Sequence, residues 1–221
     1  MAEDSAELPR WGAVTEPMTV GTNAALAVLA FVIASRLASR SMAAGSSATG
    51  WLAAAMFATG IAAVIGALAH GADPARGEAR RERLWRGALY ATGLIGAATV
   101  VSVAYFAAHG IVRAVLLAFA ALKAGVFVYR VARRPEFSVA ALDYGGALAV
   151  LLAGAACELA RRRAPGMGWL IAGVLVSLVA GVVQAKKLAL HRHFNHNDLY
   201  HVIQMSALYA FYRGGVLLVD R

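Results

Sequence analysis

The chain has 221 residues, 60% of them hydrophobic and 15% charged, with a mean hydropathy of +0.64, which excludes an ordinary soluble domain of this size and places it among integral membrane proteins. The net charge of +9 does not point to nucleic acid, because Lys and Arg fall in short clusters between apolar runs, where they orient a polytopic protein against anionic headgroups. Cys157 is the single cysteine, which excludes an intrachain disulfide and a cysteine-based zinc knuckle.

Taken in order, the chain opens with an acidic segment, Glu3, Asp4 and Glu7 before Arg10, where a signal peptide would be basic. Residues 1–18 therefore read as a short cytoplasmic lead into a mature helix, although the small residues at 41–44 resemble a cleavage site. Seven stretches are long and apolar enough to cross about 30 Å of hydrocarbon as helices. They cover residues 19–38, 50–69, 86–108, 111–131, 137–159, 167–187 and 198–219. His109-Gly110, Arg134-Pro135 and Ala164-Pro165-Gly166 break helices where loops are required. A barrel would need short alternating segments, so the expected fold is all-α, one seven-helix transmembrane domain over 1–221. Gly60 and Gly66 fall where small residues let two helices approach closely.

Twelve basic residues lie on the amino-terminal side, among them Arg76 to Arg86 and Arg130 to Arg134, and seven on the other side, including Arg161, Arg162 and Arg163. This asymmetry puts the amino terminus in the cytoplasm and the carboxyl terminus outside an inner or plasma membrane. Polar residues inside the spans then cluster at the cytoplasmic level: Asn23, Lys123, Asp143 and Gln184 with Asn197 and Gln204. Lys123 and Asp143 sit at similar depth on consecutive antiparallel helices, which predicts an ion pair. As a set these groups either line one cavity or form separate helix–helix hydrogen bonds. In the outer half, Glu158 has Arg213 as a candidate partner, the alternative being an Arg213 that snorkels alone.

Four of the six histidines stand at residues 191–201, just where the last apolar segment begins. Asn195 or Asn197 suits the cap of that helix, which puts His196 at its start and leaves His191 and His193 in the loop. Along the helix Asn197, His201, Gln204 and Leu208 share one face, with Asp198 within a turn of His201. His70, at the end of the second span, comes to the same membrane level.

His70 within Gly66-Ala67-Leu68-Ala69-His70, and Asn197-Asp198-Leu199-Tyr200-His201 at the start of the seventh span, resemble the superfamily that groups alkaline ceramidases with the progestin and adiponectin receptors. In that superfamily one histidine of helix 2 and an H-x-x-x-H pair of helix 7 hold a zinc ion. Residues 15–23, with Glu16 and Asn23, are similar to the segment that opens helix 1 in ceramidases. The resemblance implies a zinc ligand set of His70 and His201 completed by His196 or Asp198, with Asp198 or Asp73 as a catalytic base. It departs at Gly66, which stands where the family has a serine, and at Asn197, which replaces the first histidine of the pair.

The resemblance implies a zinc-dependent membrane hydrolase acting on a lipid amide or ester, with metal-polarised water attacking the carbonyl. The alternative is a non-enzymatic membrane subunit or lipid-binding scaffold in which His70, Asp198, His201 and Gln204 form a structural network. Haem between His70 and His201 is a third reading. A retinal protein is excluded because the seventh span has no lysine. The partners implied are membrane lipids and, for the scaffold reading, another membrane protein.

Overall fold

The computed structural model describes residues 10–11, 14–72, 77–162, 164–191 and 193–221. A small hairpin of β1 (Arg10–Trp11) and β2 (Val14–Thr15) precedes α1 (Pro17–Ala44), α2 (Ser47–Gly71), α3 (Glu78–Ala107), α4 (Gly110–Arg133), α5 (Phe137–Arg162), α6 (Met167–Ala185) and α7 (His196–Gly215). The fold is all-α, as the apolar runs predict, and every break signal falls at a helix boundary, Gly110 as the first residue of α4 and the others in loops. Pro17 opens α1, where its fixed φ suits a first helical position and its missing N–H costs nothing. Gly45 closes α1 with a φ of 62°, a conformation that disfavours other residues.

Helices α1 to α6 are long and apolar enough to cross a membrane. Helix α7 is not in that group, because its first turns carry Asn197, Asp198, His201 and Gln204. Packing explains how it tolerates them. The helices contact one another around a closed ring in the order α1, α2, α3, α5, α6, α7 and back to α1. Helix α7 completes the ring between α6 and α1, burying Asp198, His201, Gln204, Leu208 and Phe211 among its neighbours.

Helix α4 lies outside the ring on α3 and α5, with 11% of its most apolar window buried against 39–67% for the other five. Its attachment is a seam of Ala120, Lys123, Phe127 and Val131, spaced three or four residues apart and so along one face. Two glycines of α3 make room for that seam. A Cβ on Gly93 would stand 2.3 Å from the Phe127 ring, and one on Gly96 would stand 2.6 Å from Lys123 Nζ and 2.7 Å from Asp143 Oδ2. The expected ion pair forms in the second notch, with Lys123 Nζ 2.6 Å from Asp143 Oδ2. Gly60 likewise receives Phe31 of α1, and Gly173 receives Phe211 of α7.

The carboxyl-terminal residues fasten one end of the ring. Asp220 accepts hydrogen bonds from the Ser47 and Ala48 amides at 2.9 and 2.8 Å and from Ser46 Oγ at 3.1 Å, so it caps α2 together with the N-cap Ser46. Burial pushes its carboxyl up, but these donors outweigh that and hold it below the usual value of 3.8. Arg221 donates to Glu158 Oε1 at 3.1 Å and to the Ala107 carbonyl, while Arg113 donates to the Arg221 carbonyl. Glu158 is therefore paired with Arg221, not with Arg213. Arg213 instead stacks 4.8 Å from the Trp169 ring and donates to Tyr209 Oη.

Candidate functional site

At the other end of the ring α1, α3, α5 and α7 begin and α2, α4 and α6 finish, and His70, His196 and His201 all come to this histidine end. Two imidazoles are tethered there in the same manner. His70 Nδ1 lies 3.1 Å from Glu16 Oε2. His201 Nδ1 lies 3.0 Å from Thr22 Oγ1, which is in turn 3.2 Å from Asp198 Oδ1. Donation from His201 Nδ1 to Thr22, and from Thr22 to the carboxylate, satisfies all three groups and leaves Nε2 of His201 as an acceptor. Among the described residues no hydrogen bond engages Nε2 of either ring.

The amino-terminal hairpin positions the first imidazole. Thr15 Oγ1 donates to the His70 carbonyl and, at 3.2 Å, to that of Ala72, so the chain entering α1 straps the end of α2. Glu16 adopts a φ of 47° before Pro17, which aims its side chain back at His70 instead of along α1. Burial raises the Glu16 carboxyl, but the hydrogen bond and charge of His70, with help from Arg81 and His196, hold it below its usual 4.5. Burial and then Lys187 hold His196 below the ordinary imidazole value.

Helix α7 enters the site through a capping box. Asn195 Oδ1 accepts from the Asn197 amide at 2.8 Å and the Asp198 amide at 3.4 Å, and Asp198 Oδ2 accepts from the Asn195 amide at 2.8 Å. This corrects the role assigned to Asp198. It is 0% exposed and both its oxygens are engaged, one in the cap and one toward Thr22, so it positions His201 and is not a free base. Asp73, the other candidate base, lies outside the described residues.

The polar layer resolves into separate contacts. Gln184 donates to Asn197 Oδ1 at 2.9 Å, joining α6 to α7. Gln204 donates to Tyr144 Oη at 3.2 Å and Ser177 Oγ at 3.4 Å, joining α7 to α5 and α6. Asn23 bonds back to the Thr19 carbonyl of its own helix, beside Gly66. Lys123 and Asp143 stand apart on the α4 seam. These six residues therefore do not line one cavity. His191 and His193 stack on each other in the loop, 5.3 Å between ring centroids.

Thr22 and Thr15 are the site residues that the sequence reading missed, and Glu16 was reached only through the resemblance. A signal was present: Thr19, Thr22 and Asn23 repeat at three and four residues, which marks a polar stripe on α1.

His70 also lines a cleft of about 470 Å³ between the end of α2 and the start of α3, with Ala69, Glu78, Arg81, Glu82 and Trp85. Among the described residues no group of three or more His, Cys, Asp or Glu stands close enough to hold a metal ion.

The chain belongs to DUF6962, a family of unknown function whose model matches residues 18–219. No curated protein and no solved structure matches it. The matched residues of DUF6962 include both tethered histidines, Thr22 and the α7 capping box, while Glu16 lies just before them.

Proposed function

We propose that the chain is an integral membrane protein of seven spans, its amino terminus in the cytoplasm, which binds the polar head of a lipid at the histidine end. The observation that carries this reading is the cleft beside His70. A histidine fixed by a buried carboxylate stands in the wall of a cleft at the boundary of the apolar helices, within reach of any headgroup that enters from the bilayer surface. The charges of that wall are mixed, Glu78 and Glu82 against Arg81, which suits a zwitterionic or hydroxyl-rich head better than a phosphate alone. Native mass spectrometry of the full chain in mild detergent tests it. Retained zwitterionic lipid that is lost in His70→Ala, with the fold intact by circular dichroism, supports the reading, and undiminished retention defeats it.

A second reading has its own observation, the tethering of both imidazoles through Nδ1. Metal-ligating histidines are held in this manner, the second ring nitrogen bonded to an oxygen. His70 and His201 are therefore each oriented as a metal-ligating histidine is. A catalytic zinc takes three protein ligands, and the described residues do not assemble the third. Zinc near one per chain that disappears in both His70→Ala and His201→Ala would establish this reading. Folded, metal-free protein would remove it.

A further inference from the structure

We infer that a second cleft at the histidine end, between the last turn of α4 and the first turn of α5, binds the headgroup of an anionic phospholipid. This cleft, about 550 Å³, is lined by Arg130, Arg133 and Arg134 with Tyr129, Ser138 and Leu142. Its single carboxylate, Glu136, accepts from Ser138 Oγ at 3.2 Å. Among the described residues none of the three guanidiniums forms an ion pair, so the cleft keeps three positive charges against one negative.

The turn that carries these groups is anchored. Trp85 Nε1 of α3 donates to the Pro135 carbonyl at 3.0 Å, and Leu89, Phe127, Val131, Val139 and Ala140 pack beneath it. Arg133 is held with its guanidinium 5.1 Å from the centre of the Tyr129 ring, so part of the ordering cost of binding is met before a ligand arrives. Guanidiniums suit phosphate because they offer paired donors in a plane.

The other wall is apolar. Leu142 is 66% exposed and Val126, one turn before Arg130, is 49% exposed, so acyl chains find hydrocarbon-compatible surface directly below the charged mouth. That continuity favours a lipid over a soluble phosphate or an acidic protein segment. The inference rests on the membrane reading but not on His70, because the two clefts are lined by different residues.

The test compares phosphatidylglycerol with phosphatidylcholine binding to the full chain in detergent by native mass spectrometry. Wild-type protein retains phosphatidylglycerol preferentially. Arg130→Gln with Arg134→Gln weakens that binding by about thirtyfold, the product of about fivefold for each basic residue, and leaves phosphatidylcholine unchanged. Arg80→Gln with Arg83→Gln, which alters basic residues outside the cleft, leaves the preference intact, as does His70→Ala. Equal retention of the two lipids, equal loss in the Arg80 and Arg83 variant, or displacement of the lipid by inorganic phosphate would each overturn the inference.

Discussion

At the carboxyl-terminal end of the bundle one set of polar groups finds partners within the chain: Asp220 caps α2, Glu158 meets Arg221, and Arg113 holds the last carbonyl. At the histidine end the same economy stops halfway. Glu16, Thr22 and Asp198 are used up in orienting two imidazoles, whose second nitrogens have no partner among the described residues. A cleft opens beside one of them, and three guanidiniums that form no ion pair among the described residues line another. The difference teaches that one end closes the ring by contacts within the chain, whereas the other is the end at which the proposed ligands would be received. Buried polar groups that satisfy each other add specificity and stability, whereas oriented groups left open mark a binding surface.

The comparison can be broken with substitutions, and the largest effect belongs to neither end. Asp143→Ala leaves Lys123 without its counter-ion in the Gly96 notch and should cost about 3–5 kcal/mol, read by chemical unfolding in detergent. At the carboxyl-terminal end, Asp220→Ala removes the second cap of α2 and should cost about 1–2 kcal/mol in the same assay. Because the folded Asp220 carboxyl lies below 3.8, its contribution is complete above that pH and is lost as the pH falls through the lower folded value. Acid unfolding should therefore be shallower in Asp220→Ala than in the wild type between pH 4 and the folded value, and parallel curves would refute the capping role.

At the histidine end the same kind of change should separate stability from binding. Thr22→Val removes the link between His201 and Asp198 and should cost about 1 kcal/mol, close to a single hydrogen bond. If the second imidazole serves a metal, zinc content falls in this variant while stability falls by no more than that single hydrogen bond. A loss of stability well above that of Asp220→Ala would give the histidine end the same structural role as the other and erase the distinction. The smallest expected change in stability is for Arg130→Gln with Arg134→Gln, within about 0.5 kcal/mol, since both side chains are exposed.

Several features were legible because they depend on neighbours in sequence. The loop breaks at Gly110, Pro135 and Pro165, the Asn195 cap and the shared face of His201, Gln204 and Leu208 all appear where the local pattern puts them. The Lys123 and Asp143 pair was also readable, because antiparallel helices joined by a short turn fix relative depth. The single polar layer was not. Depth along a helix follows from counting residues, but rotation about the axis depends on which neighbour each face meets, and that separated Lys123 and Asp143 from Gln184 and Gln204.

By itself the sequence determined an all-α chain of apolar helices, their order and breaks, and the arrival of His70 and His201 at one level, since hydrophobicity, helix length and capping act locally. Tertiary structure decided the rest. The closed ring turned the polar face of α7 inward, the glycine notches of α3 fixed α4 on the outside, and Thr22, 179 residues from His201 in the chain, became its partner. Contacts of that kind arise from the packing of faces, which no local pattern encodes.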